Sequence, residues 1–146
     1  MKKEKIIIVG LLSLVLLCTT GCLNSKKEKK LICAITSSGV DITLNVGFEG
    51  NMVKTMDFKY DMNLSSYSDA QISAVEKQDF CSIVKKTMSG YENAFTDCNQ
   101  KVEDKHLLVN SELDVDKVAT NVLDKMGSPE KTKEELEKSG YTCEIQ

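Results

Sequence analysis

The sequence predicts an α+β fold, an antiparallel β-sheet of about five to six strands with two to three helices packed on one face. Two observations carry this prediction. Several segments alternate apolar and polar residues with a period of two, which is typical of half-buried strands. Other segments place apolar residues three and four positions apart, which is typical of helices with one buried side. A chain of 146 residues without a visible repeat indicates a single folded domain.

The first predicted strands follow one another closely along the chain. Leu31–Thr36 is a short apolar run, and Val40–Val46 alternates apolar and polar residues. Glu49-Gly50-Asn51 has the composition of a turn, and Met52–Tyr60 then alternates again. These segments therefore predict an antiparallel meander. The remaining predicted strands are Ala94–Val102, His106–Leu113 and Tyr141–Ile145.

Helical spacing predicts two longer helices. The segment from Asp69 to about Met88 carries apolar residues at helical intervals and is predicted as one helix. A second helix is expected after Asp114 or Asp116, either of which can cap it. Its evidence is the regular apolar stripe of Val115–Met126. Gly127 is expected to end this helix in the left-handed conformation.

A third, short helix is predicted just before the last strand. Thr132 and Glu135 stand three positions apart, as the two partners of a capping box do. The helix is expected to run to about Ser139. It is expected to end at Gly140, because glycine adopts the left-handed conformation without strain.

The N-terminus has the pattern of an export signal. Met1–Lys5 is short and net positive, and Ile6–Leu17 is an uncharged, mostly apolar run of 12 residues. A membrane-spanning helix needs about 20 apolar residues, whereas the apolar part of a secretory signal has about 7–15. We therefore predict a signal peptide rather than a spanning helix.

The end of this apolar run indicates how the signal is processed. Leu17-Cys18-Thr19-Thr20-Gly21-Cys22 resembles the lipobox of bacterial lipoproteins, in which small residues precede an obligatory cysteine. The resemblance implies that the Cys22 sulfur receives diacylglycerol and that cleavage removes Met1–Gly21. Thr19 departs from the pattern, because this position usually holds leucine or a similar aliphatic residue. The alternatives are an uncleaved N-terminal anchor and an ordinary signal peptide with an incidental cysteine.

The predicted mature chain has two parts. Residues 22–30 form a lipidated cysteine with a Lys-rich tether, and residues 31–146 form one extracytoplasmic α+β domain. This domain holds 12 lysines, no arginine and 20 acidic residues, so its net charge is 12 − 20 = −8. Binding to nucleic acid needs the opposite balance and is therefore not expected. The tether lysines either rest on anionic lipid headgroups or belong to a plain solvated spacer.

Cysteine usage predicts an oxidising compartment. Two of the six cysteines belong to the signal and the lipid anchor. The other four, an even number, indicate two disulfides, although they allow three pairings. We favour Cys33 with Cys143, which joins the first and last strands, and Cys81 with Cys98, which ties a helix to the next strand. Their scattered spacing disfavours the alternatives, a reactive thiol pair and a metal site.

Beyond the lipobox, the mature chain is similar to the YehR-like small bacterial lipoproteins. The similarity is carried by the acidic cap Leu113–Asp116, by Thr132–Tyr141 near the C-terminus and by the strand meander. It implies a lipid-anchored α+β domain outside the cell. Cysteines near both ends also occur in similar lipoproteins, which supports the pairing of Cys33 with Cys143. The function of this family is unknown, so the resemblance implies no catalytic residue.

No catalytic constellation stands out in the sequence. Ser82–Lys85 matches the SxxK pattern of penicillin-recognising enzymes, but the partner motifs of those enzymes are absent. His106 is the only histidine, and an enzyme would need it to converge with acids such as Glu112 and Asp114 in a cleft. We therefore expect no catalytic residue, no cofactor and no metal site.

The expected function is binding at the extracytoplasmic face of the cell membrane. Besides the membrane that holds the lipid on Cys22, the expected partner is an unknown protein or envelope ligand. It would bind on the sheet face or on the Asp61–Ser68 loop. A groove lined by tyrosine and methionine favours an amphiphile, whereas a flat polar face favours a protein. The alternative is a structural or stress-responsive envelope component without a small ligand.

Replacing the lipid-bearing residue separates anchoring from folding. In Cys22→Ala the diacylglycerol has no sulfur to join, so we expect the protein to be released or mislocalised while its fold stays intact, because stable anchoring needs acyl chains. Cell fractionation with immunoblotting measures this change. Cys18→Ala is the matched control and is expected to stay in the membrane fraction. Continued membrane association of Cys22→Ala would show that another element holds the protein.

Overall fold

Six strands form one antiparallel sheet in the computed structural model, which describes residues 27–146. The predicted signal peptide and Cys22 lie outside the described residues. The strand order is β4-β5-β3-β2-β1-β6, and every neighbouring pair is antiparallel. With the helices this confirms the α+β class. The strands are β1 Glu28–Ser37, β2 Val40–Glu49, β3 Met52–Asn63, β4 Phe95–Glu103, β5 His106–Leu113 and β6 Thr142–Ile145.

Alternating side chains give this sheet two different faces. On the central strand β3, Met56 is buried, whereas Thr55 and Asp57 on either side of it are exposed. Strand register extends the pattern across the sheet, because Met56 stands opposite Val46 of β2 and Leu113 of β5. Both of these residues are also buried. The helices pack against this apolar face and leave the other face open.

The prediction of one helix from Asp69 to about Met88 is wrong, because the chain forms two helices there. They are α1 Asp69–Glu76 and α2 Phe80–Thr87. Asp79 caps α2, since its carboxylate accepts a hydrogen bond from the Ser82 N–H at 2.9 Å. The Gln100 side chain on β4 accepts from the first N–H of α2 at 2.8 Å. A cap and a contact with the sheet therefore fix where α2 begins.

The predicted helix over 115–126 is wrong in its extent. The chain forms a 3₁₀ turn at Val115–Lys117 and then only the one-turn helix α3, Thr120–Leu123. The Ala119 N–H donates to the Gly90 carbonyl at 2.8 Å instead of to a carbonyl four residues earlier in the helix. A tertiary hydrogen bond therefore replaces the helical one. The apolar residues of the stripe still pack against the core, but from a segment that is only partly helical.

The last helix, α4, spans Pro129–Lys138 and begins earlier than the sequence predicts. Its cap is Ser128, whose hydroxyl accepts from the backbone N–H three residues on at 3.2 Å. Thr132 is buried inside the helix, so the expected capping box is wrong. Gly127 has no positive φ, so the expected left-handed stop is wrong as well, whereas Gly140 has φ +92° after α4, as predicted.

Two disulfides join the elements that the sequence predicts. Cys33 on β1 and Cys143 on β6 are cross-strand neighbours and are bonded to each other. This bond holds a strand of only four residues at the edge of the sheet. Cys81 on α2 is bonded to Cys98 on β4 and fixes that helix to the opposite edge strand. Two structural disulfides indicate an oxidising, extracytoplasmic environment.

Strand β1 begins at Glu28, three residues before the predicted domain boundary. Lys29 Nζ lies 2.6 Å from a carboxylate oxygen of Glu130 on α4. Lys30 and Gln146 exchange two backbone hydrogen bonds of 3.0 and 2.7 Å. Residues 28–30, which the sequence assigns to the tether, therefore belong to the sheet.

No helix among residues 27–146 is long and apolar enough to cross a membrane. The longest of them, α4, has ten residues. Apolar side chains are concentrated instead in two clusters under the covered face of the sheet. The larger lies beneath β1, β2 and β3, and the smaller joins α1 to β5 through Val75 and Leu107.

Removing either disulfide should reduce stability, and removing the one that closes the longer loop should reduce it more. The Cys33–Cys143 bond spans a sequence separation of 110 and the Cys81–Cys98 bond one of 17. In the chain-entropy model, replacing the first pair by alanine costs about 4–5 kcal/mol and the second about 3 kcal/mol. Urea unfolding of the two double variants measures both losses. A larger loss for the short loop would show that the bond between the chain ends is not the more stabilising of the two.

Candidate functional site

The uncovered side of the sheet, which we call the open face, consists of the alternate residues that point away from the helices. On β3 these are Thr55, Asp57, Lys59 and Asp61, and the same side of β5 carries residues 106, 108, 110 and 112. Carboxylates outnumber lysines on this face. The carboxylates include Asp41, Asp57, Asp61, Asp97, Glu103, Glu112 and Glu144, and the lysines include Lys30, Lys59 and Lys101.

Three of these carboxylates form a row across adjacent strands. Glu112 on β5 stands directly opposite Asp57 on β3 and directly opposite Asp97 on β4. None of the three takes part in an ion pair within residues 27–146. Like charges directly opposite each other destabilise a sheet. The acidic row therefore works against the stability of the fold.

Two other carboxylates of the open face have a nitrogen atom as a close partner. Lys101 forms an ion pair and a hydrogen bond with Glu103 on the same strand, and this hydrogen bond holds the pKa of Glu103 below its usual value. His106 Nδ1 lies 2.6 Å from Oδ1 of Asp61 across β3 and β5. Asp41 and Glu144 also lack an ion pair within residues 27–146, but in the row three such carboxylates are direct cross-strand neighbours.

A shallow depression of about 380 Å³ surrounds the acidic row on the open face. Its walls carry amide groups and one lysine as well as the carboxylates. Such a lining offers several hydrogen-bond donors and acceptors beside apolar surface of similar extent. The lining residues are Asn45, Asp57, Phe58, Lys59, Asp97, Asn99, Asn110, Ser111 and Glu112.

A second depression, of about 540 Å³, adjoins the row at the end where β5 leaves the sheet. Asp57 and Glu112 belong to both depressions, and Asp114 and Asp116 extend the acidic lining. A hydrogen bond from Lys117 holds the pKa of the Asp114 carboxyl below its usual value. The two depressions form one continuous acidic surface.

The tyrosines do not line the open face. Burial, with a smaller contribution from Tyr141, raises the pKa of Tyr91 to about 12. Burial also raises the pKa of Tyr60 and of Tyr141. All three pack against the core clusters on the covered side, and Tyr67 joins the smaller cluster. The tyrosine and methionine groove that would favour an amphiphile is therefore not formed on the open face.

The residues that an enzyme would have to bring together are separated. His106 begins β5 and Glu112 lies six residues further along the same strand, which puts them about 20 Å apart. Asp114 caps the 3₁₀ turn beyond the end of the strand. In residues 27–146 no three His, Cys, Asp or Glu side chains are grouped so that they could hold a metal ion.

Sequence reasoning pointed to the correct strands but missed the acidic row. Each of Asp57, Asp97 and Glu112 is visible as a polar residue of a strand. The three carboxylates meet because of the order of the strands in the sheet and the register of their pairing. The β4–β5 hairpin was predictable, whereas the pairing of β3 with β5 joins segments separated by both helices.

No family model and no curated protein matches the sequence. A solved structure, "NMR structure of the protein from Streptococcus pneumoniae TIGR4", is similar with a TM-score of 0.50. The match covers 84% of this chain and 88% of that chain at 12% sequence identity. At this identity the likeness shows the fold alone.

Neutralising the centre of the acidic row should stabilise the isolated protein. Glu112→Gln removes the charge that faces two carboxylates, so we expect the free energy of unfolding to rise by about 0.5 kcal/mol. Because the repulsion is exposed, the gain should shrink in 1 M salt. Glu144→Gln is the matched control, since Glu144 on the same face stands opposite Ile32. Equal effects of the two substitutions in urea unfolding would argue against repulsion within the row.

Proposed function

We propose that this protein is a lipid-anchored extracytoplasmic protein whose open face binds a protein partner with a basic surface. The observation that carries the proposal is the unpaired row of Asp57, Glu112 and Asp97 on a sheet face that no helix within residues 27–146 covers. The lipobox-like segment ending in Cys22 supports the anchor. The two disulfides support a location outside the cytoplasm.

The shape of the open face favours a macromolecule over a small ligand. The six strands, four to twelve residues long and about 4.8 Å apart, give a surface of roughly 800 Å². A stable protein interface buries about 800 Å² on each partner. The open face thus approaches that size, whereas its depressions are shallow and wide open to solvent. Small-molecule sites are concave and bury most of the ligand's surface, which an open, shallow depression does not do.

The charge of the face defines the chemistry of its partner. Carboxylates without an ion pair in residues 27–146, among them the row, Asp41 and Glu144, outnumber Lys30 and Lys59. A partner rich in lysine or arginine would neutralise them, and complementary charge speeds association and fixes register. The repulsion within the row reduces the stability of the free protein. Like charges on neighbouring strands are normally avoided, and such exceptions are expected where a surface serves binding.

The resemblance to YehR-like lipoproteins is part of the same proposal. It agrees with an anchored α+β domain and does not indicate which protein is the partner. The alternative of a structural envelope component without a small ligand differs in one respect, because it needs no contact at the open face.

Photo-crosslinking in living cells tests the proposal. A photo-reactive phenylalanine analogue at Asn110, exposed beside the acidic row, should yield a specific protein adduct. The same analogue at Glu134, exposed on α4, is the matched control and should yield none. Adding Glu112→Lys should lower the Asn110 adduct by about tenfold, because it places like charge against a basic partner.

The proposal is wrong if Asn110 and Glu134 give the same adducts. It is also wrong if Glu112→Lys leaves the Asn110 adduct unchanged. Unfolding of the purified charge-reversed protein in urea verifies that the substitution has not damaged the fold.

A further inference from the structure

The end of the sheet where the tether enters also carries the β2–β3 turn. Glu28, the first residue of β1, pairs with Glu49 of β2, and Glu49 pairs with Met52 of β3. Gly50 and Asn51 connect these two strands, and Gly50 has φ +63°. We call Gly50, Asn51 and Met52 the hairpin tip. It lies two strand spacings, about 10 Å, from the start of β1.

Covalent geometry limits how far this end can move from the anchor. Six peptide units separate Cys22 from Glu28. A fully extended chain spans at most about 3.5 Å per residue, so Glu28 stays within about 20 Å of the lipidated cysteine. The opposite end of the sheet, near Ser66 in the loop after β3, lies about 30 Å further along the strands.

The hairpin tip carries an unusual exposed side chain. Among the described residues, Met52 and Ile83 are the large hydrophobic side chains that are exposed, at 55% and 45%. Ile83 lies in the middle of α2, away from the tether. Met52 is therefore an exposed apolar group on the part of the domain held closest to the anchor. An unbranched thioether is well suited to an irregular apolar environment.

The start of β1 and the tip carry lysines beside carboxylates, whereas the open face carries an excess of carboxylates. Lys30 and Lys54 line this end together with Glu28 and Glu49, and Lys27 directly precedes Glu28. Lys54 Nζ lies 3.6 Å from a carboxylate oxygen of Glu49 and forms an ion pair with it, whereas Lys27 and Lys30 have no ion pair within residues 27–146. The open face carries excess carboxylates, so an anionic membrane would repel it if the sheet lay flat.

We propose that the hairpin tip and the start of β1 rest on the anionic lipid headgroups of the membrane that holds the anchor, with Met52 inserted among them. The sheet then stands on this end, and the open face points sideways, free for its partner. The inference depends on the proposed lipidation of Cys22 and adds a second, non-covalent contact with the bilayer.

Tryptophan fluorescence of the intact lipoprotein tests the contact. The chain contains no tryptophan, so Met52→Trp introduces a single fluorophore at an exposed position. The mature variant is reconstituted in phosphatidylglycerol vesicles whose acyl chains are brominated near the headgroup. Because tryptophan settles at the headgroup level, we expect quenching about threefold stronger than for Ser66→Trp, the matched control at the opposite end.

The outcomes separate the contact from the anchor. Strong quenching of Trp at position 52 alone supports the inference. Equal, weak quenching at both positions in protein that floats with the vesicles overturns the contact and leaves the anchor intact. Protein that does not float with the vesicles overturns the anchor and, with it, the contact that depends on it.

Discussion

The structure depends on the two-residue alternation of the central strands β2, β3 and β5, which a bulge interrupts between Gly47 and Phe48. Alternation sends Val46, Met56 and Leu113 to one side of the sheet, where they meet in register and bury together. The same alternation necessarily sends Asn45, Asp57 and their neighbours to the other side. The helices cover only the apolar side, so the core and the acidic open face have a single origin. The edge strands depend on this centre, and each carries one disulfide, which joins β6 to β1 and β4 to α2.

Much of the fold could be predicted, because its signals are local. His106–Leu113 was predicted with its observed bounds, and the disulfide pairing in the structure is the one favoured from the sequence. The failures occurred where a tertiary contact overrides a local pattern. The bond from Ala119 to the Gly90 carbonyl interrupts a regular helical stripe, and Gln100 on a distant strand helps fix the start of α2. Neither partner can be inferred from the spacing of apolar residues.

The candidate site was less accessible from the sequence than the fold. Asp57 and Glu112 are separated by 55 positions, and each is an ordinary polar residue of a half-buried strand. Their meeting follows from the pairing of β3 with β5, which crosses both α1 and α2. By contrast, His106 and the acids at the end of β5 are close in sequence. An extended strand separates them.

The central claim is that the acidic open face is covered by a partner outside the cytoplasm. Carboxyl footprinting with a carbodiimide and an amine, on intact cells and on the purified protein, tests it most directly. We expect Asp57, Asp97 and Glu112 to be modified in the purified protein and protected in cells. Glu134 and Glu135 on α4 should react equally in both. Equal modification of the acidic row in cells and in the purified protein would contradict the claim.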